Sequence, residues 1–174
     1  MGELFRENFL AFSVGVRPSG SFSMAIQGVY GDQIDYTNFQ AGKRLRINPI
    51  MQYKMGRHLF VNVNHVYEKL DVNAGRLYTA NLSNLSLVYQ FNRRTLLRTI
   101  LQYAHYSYNS DLYYFNIDPK YNHLFSQVLF SFKINPQTVL FLGYSDDYYD
   151  FSYTPGLKQN NRTFFLKIGY ALVM

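Results

Sequence analysis

The chain has 174 residues, enough for one domain, and 48% of them are hydrophobic although the mean hydropathy is only −0.20. Apolar and polar residues must therefore alternate, and no run approaches the roughly 18 apolar residues that would mark a membrane helix. Cysteine is absent, which excludes disulfides and thiolate metal sites, and the formal charge of +6 is spread along the chain, unlike the clustered bases of a nucleic-acid binder.

From the N-terminus, Phe9 to Arg17 alternates, with Leu10, Phe12, Val14 and Val16 on one face, and Pro18-Ser19-Gly20 predicts a tight turn. Phe22 to Tyr30 returns with Met24 and Ile26 on the apolar face, and residues 31–42 read as a polar loop. Lys43 to Lys54 sets Leu45, Ile47, Pro49, Met51 and Tyr53 against Arg44, Arg46, Asn48, Ile50, Gln52 and Lys54. Pro49 lacks a donor and predicts an edge or a bulge there. After a turn at Met55-Gly56-Arg57, Leu59, Val61, Val63, His65 and Tyr67 oppose Phe60, Asn62, Asn64, Val66 and Glu68.

A loop is expected around Asp71 to Gly75. Leu85, Leu87, Tyr89 and Phe91 then oppose Asn84, Ser86, Val88 and Gln90. Asn92-Arg93-Arg94 turns the chain, and Leu97, Thr99, Leu101 and Tyr103 oppose Arg98, Ile100, Gln102 and Ala104. Residues 106–122 read as a long Tyr-rich loop, 124–134 as a strand, Asn135-Pro136-Gln137 as a turn, 138–145 as a strand and 146–161 as a loop. In the last strand Phe164, Leu166, Ile168, Tyr170, Leu172 and Met174 form one apolar row. Thr163, Phe165, Lys167, Gly169, Ala171 and Val173 form a smaller, charged one.

These segments predict about nine antiparallel strands joined alternately by turns of roughly three or four residues and loops of roughly eight to sixteen, the pattern of an outer-membrane β-barrel. The 17 Tyr and 15 Phe suit strands and interfacial girdles. The expectation is a single all-β domain over residues 1–174 in the outer membrane of a Gram-negative cell envelope. On that reading the short turns face the periplasm and the first strand runs downward. Met1-Gly2-Glu3 opens no signal peptide. Both features lead to the expectation of a C-terminal portion of a larger barrel.

Residues 131–146, SFKINPQTVLFLGYSD, and 162–170, RTFFLKIGY, resemble the end of a family of envelope proteins. In that family a family-nine carbohydrate-binding-like domain precedes a large C-terminal outer-membrane barrel of uncharacterised function. The resemblance implies membrane lipid, and a soluble carbohydrate-binding-like domain or other envelope subunits, as partners. It supplies no catalytic residues.

On the barrel reading, Phe164, Leu166, Ile168, Tyr170 and Leu172 face lipid, while Arg17, Arg44, Arg46, Lys54, Arg98, Lys133 and Lys167 face the lumen, with Glu68 as the acid among them. Walls of one charge favour counter-ions, so a porin-like or anchoring barrel that passes or docks envelope solutes, with a basic, anion-attracting lumen, is the functional expectation, against the plainer one of a wet or plugged interior. No cofactor or metal is expected. Asp146, Asp147 and Asp150 match no EF-hand spacing and suit a solvated loop. The four histidines, His58, His65, His105 and His123, show no ligand spacing. Phosphate-loop, H-E-x-x-H and zinc patterns are absent. Two alternatives remain open. One is a soluble lipocalin-like barrel with the apolar rows inside. The other is a rim hydrolase using His105 with Ser107 or Ser110.

Overall fold

The computed structural model describes residues 6–171. They form nine strands: β1 Phe9–Ser19, β2 Phe22–Asp35, β3 Gln40–Met55, β4 Leu59–Val72, β5 Gly75–Gln90, β6 Thr95–Tyr108, β7 Lys120–Asn135, β8 Thr138–Phe151 and β9 Thr154–Tyr170. One 3-10 turn, Ser110–Leu112, interrupts the β6–β7 connection. Each strand pairs antiparallel with the next, in the sheet order β1-β2-β3-β4-β5-β6-β7-β8-β9. Among the described residues β1 and β9 do not pair with each other, so the sheet is open.

Alternation decides which side chains share a face. The register carries Val14 to Ile26, and Met24 on to Met51, Val63, Leu85 and Leu101. Farther along, Val128 meets Tyr144 and then Phe164. This face is predominantly apolar, although the Met24 row continues beyond Leu101 to Ser126, Asp146 and Arg162. The opposite face carries Gln52, Asn62, Ser86, Ile100, Gln127 and Ser145 in one cross-strand row. A one-residue slip would exchange the faces, so the apolar rows themselves specify the register.

The apolar face is uncovered. Leu10 is 68% exposed, Phe164 68%, Leu166 62%, Ile168 64% and Tyr170 62%. Each such side chain gains roughly 1.5–3 kcal/mol when an apolar phase covers it. Leu172, the remaining member of the predicted lipid row, lies outside the described residues.

Two sequence expectations are corrected. Most of residues 31–42 and 146–161, and both ends of 106–122, are strand: β2 continues to Asp35, β6 to Tyr108, β7 begins at Lys120, β8 continues to Phe151, and β9 begins at Thr154. The alternation of short turns and long loops therefore shrinks to one long connection, residues 109–119. Beyond the apolar belt both faces are polar, so the hydropathy signal ends while the hydrogen-bond ladder continues. Pro49 lies within a central strand. The β3–β4 pairing skips from Ile47 to Ile50, a gap in the ladder beside a residue with no N–H.

Glycines fix the outer strands in place. A Cβ on Gly28 would coincide with the ring of its partner Phe12, and one on Gly143 with the ring of its partner Phe165. In both pairs an aromatic ring fills the place of the missing side chain. Gly143→Val must displace Phe165 and should cost about 1–3 kcal/mol, read as a lowered urea midpoint of the protein folded into vesicles. Gly20→Ala, where the added methyl meets nothing within 4 Å, should leave the midpoint unchanged. Equal midpoints for parent and Gly143→Val would show that the ring does not depend on this glycine.

Candidate functional site on the polar face

Arg17, Arg44, Arg46, Lys54, Arg98, Lys133 and Lys167 all fall on the face opposite the apolar rows. Lys54, Phe60, Val88, Arg98, Leu129, Gly143 and Phe165 form one cross-strand row. Arg46 heads another that runs through Glu68, Ala80, Tyr106, Tyr121 and Phe151. Among the described residues Arg46 is the member of the basic set that meets a carboxylate, at 3.4 Å from Glu68.

The polar face has three zones. At the β1–β2 turn end lie Arg17, Lys54, Arg98, Lys133 and Lys167. In the middle is a ladder of amides: Asn64 Nδ2 donates to Asn48 Oδ1 at 2.9 Å, and Asn48 Nδ2 to Gln27 Oε1 at 3.3 Å. Asn62 Oδ1, Asn84 Oδ1 and Arg44 Nε are buried on this face without a protein partner. At the far end Tyr78 donates its hydroxyl to Glu68 Oε1 at 2.7 Å. Burial and the Glu68 carboxylate together hold that phenol well above its ordinary range.

The 109–119 connection folds over this far end. Leu112 and Tyr113 pack on the small buried cluster of Leu70, Val72 and Leu77. Tyr114 N donates to Oδ1 of buried Asn38, in the β2–β3 turn, at 3.4 Å. Burial pushes the Tyr113 phenol up to about 12. The connection thus spans the tops of β4 and β5.

Beside it runs an aromatic row that hydropathy reading missed. Tyr78 lies 6.3 Å from Tyr108, Tyr108 stacks on Tyr106 at 5.9 Å, and Tyr106 lies 5.8 Å from Tyr121. Tyr121 lies 5.4 Å from Phe151. The available signal was spacing by two within supposed loops: Tyr106 and Tyr108, Tyr121 and His123, Tyr149 and Phe151.

The three aspartates do not form a cluster. Asp147 lies on the polar face and pairs with His123, whereas Asp146 and Asp150 continue the apolar-face rows. Asp146 binds Arg162 at 2.9 Å and Asp150 binds Lys120 at 3.0 Å. Among the described residues no group of three or more metal-ligating side chains forms. His58 contacts Gln90 O and His65 contacts Ser83 Oγ. His105 Nδ1 contacts Asn122 Oδ1, and Asn122 Nδ2 donates to Asp150 Oδ2 at 2.8 Å. Ser107 shares the face of His105 one strand repeat away. Ser110 sits in the 3-10 turn.

No family model matches the sequence, and neither does any curated protein. Two solved structures match in shape. OmpT, an outer membrane protein of Vibrio cholerae folded in vitro, superposes with a TM-score of 0.60 at 12% identity, covering 94% of this chain and 55% of that one. Its trimer form gives 0.58, 12%, 94% and 54%. The likeness is one of fold. This chain spans about half the length of the structures it matches.

Asp150 lies beyond the apolar belt, and Lys120, then Asn122, hold its carboxyl below the ordinary carboxylate range. A carboxyl depressed in the folded state stabilises it above the ordinary pKa, and that contribution is lost as pH falls through the folded value. Amide-exchange protection of the β7 and β8 tips should therefore hold down to about pH 4 and fade below it. Asp150→Asn should weaken protection at neutral pH and flatten the acid decline. Wild-type protection that stays level to pH 2 would contradict this.

Proposed function

We propose that this chain forms the wall of an outer-membrane β-barrel whose polar face lines a basic, porin-like lumen that passes or docks anionic envelope solutes. The observation that carries this reading is the segregation of seven bases to the face opposite the uncovered apolar rows, with a carboxylate beside Arg46 but none beside the others among the described residues. A bilayer supplies the missing cover for the apolar face. A wetted lumen supplies hydrogen-bond partners for the buried amide oxygens and for Arg44. The fold likeness to an outer membrane protein agrees with it.

Two experiments test it. Ile168, on the exposed row of β9, should tolerate Leu but not Arg, because a cation at mid-membrane on the lipid face costs about 2–4 kcal/mol. Vesicle insertion of Ile168→Arg equal to that of the parent would reverse the assignment of faces. In planar bilayers under a salt gradient, the protein should give a reversal potential of anion-preferring sign, because a basic wall concentrates anions. Changing Arg44, Arg46, Arg98 and Lys167 together to Gln should move that potential toward cations. Cation selectivity in the parent would refute the basic-lumen reading, and a lack of conductance would leave only the docking half of it.

A second reading rests on the Asp150–Asn122–His105 chain, which orients an imidazole on the face that also carries Ser107. Such an orienter, base and hydroxyl are the parts of a serine esterase. The reading requires that Ser107→Ala abolish hydrolysis of a short-chain p-nitrophenyl ester. Unchanged hydrolysis, or none in the parent, removes it.

A further inference from the structure

The β8–β9 corner carries a depression of about 480 Å³ on which Tyr149, Phe151, Tyr153, Lys158 and Asn160 converge. The three rings have nearly parallel planes: Tyr149 and Phe151 lie 6.4 Å apart at 13°, Phe151 and Tyr153 5.3 Å apart at 13°. Tyr153, at the end, is 73% exposed. The rings stack on one another, so the flat apolar surface left open is the outer face of Tyr153 at the end of the row.

Polar groups border the row. Between the pairs Asp147–Asn161 and Tyr148–Gln159 the register shifts, and Asn160 is the extra residue of that bulge. The bulge turns its amide toward Asp147, with Nδ2 at 3.4 Å from Oδ2. Re-aiming a side chain is a common use of a bulge beside a binding site. Asp147 is also held by His123, whose ring stacks on Tyr149 at 4.5 Å. Lys158 lies directly across from Tyr149. The corner is anchored as well: Ser152 N donates to the Asp118 carboxylate, 3.2 Å from each oxygen, tying the β8–β9 turn to the long connection.

We propose that this corner binds a neutral linear oligosaccharide, one sugar ring laying its C–H face against the exposed ring of Tyr153 while hydroxyls are read by Asp147, Asn160 and Lys158. The chemistry selects this class. The C–H faces of a pyranose are apolar and meet the electron-rich face of an aromatic ring, while its rim of hydroxyls needs paired donors and acceptors. A nucleic-acid strand also stacks on aromatic rows, but such sites lie in basic grooves. Here the acids Asp147 and Asp118 border the corner. The site stands apart from the bases of the proposed lumen and does not depend on them.

The test is calorimetric titration of the whole chain, folded in a detergent without a sugar headgroup, with maltohexaose, cellohexaose and a thymidine hexanucleotide. At least one glucan should bind, and more tightly than the hexanucleotide. Tyr153→Ala and Asn160→Ala should each weaken it about tenfold, the equivalent of roughly 1.4 kcal/mol. Tyr153→Phe, which keeps the ring, should bind as the parent does, separating loss of stacking from loss of fold. Tight binding of the hexanucleotide alone, no binding of either glucan, or parental affinity in Tyr153→Ala would each overturn the proposal.

Discussion

Everything in this molecule depends on the register of eight antiparallel pairings. A single sheet has no second layer to absorb error, and a slip by one residue would carry every apolar side chain to the polar face. The only buried apolar residues among those described are Leu70, Val72, Leu77 and Ala80, far too few to hold a domain of this size as a packed core. Backbone hydrogen bonds and cross-strand pairs therefore take the place of a core. The two Gly–Phe pairs near the sheet's margins belong to this logic. Each favours one register of an outer strand on its neighbour, because the ring occupies the space that a side chain at the glycine would take.

Strand tips and belt are stabilised differently. In the belt, Val, Ile, Leu and Phe share one face, and their gain comes from whatever covers that face. Beyond it, the strands continue through Lys43 with Asp32, Lys69 and Arg76 with Asp71, and Lys120 with Asp150. Exposed ion pairs contribute about 0–1 kcal/mol each, so they orient the tips more than they hold them. Aromatic pairs contribute about 0.5–1.5 kcal/mol beyond their burial. The tyrosine row on the polar face, together with the buried patch under Leu112 and Tyr113, is therefore the stronger fastening.

This difference explains how much could be read from sequence. The faces of Lys43–Lys54 and of Phe164–Tyr170 were legible because one row is apolar and the other is not. The basic set was legible for the same reason: Arg44 and Arg46 could be assigned a side without knowing any partner strand. At Asp146–Phe151 and Tyr106–Tyr108 the two faces are both polar or both aromatic, and hydropathy carries no period. There the register comes from tertiary pairing alone, and so does the bulge that aims Asn160 at Asp147. Loop 109–119 was legible as a loop, yet its fold back to Asn38 crosses 76 positions of sequence, and no local pattern encodes such a contact.

The polar face is graded along the strands. Unpaired bases stand at one end, amides in the middle, and at the other end come Glu68 with Arg46, Asp147 with His123, and the tyrosines. Because the same register that builds the apolar belt fixes the height of every one of these groups, the order in which they are met along the face cannot be changed without moving the belt. The apolar belt on one face and the order of polar groups on the other are consequences of one alignment of strands.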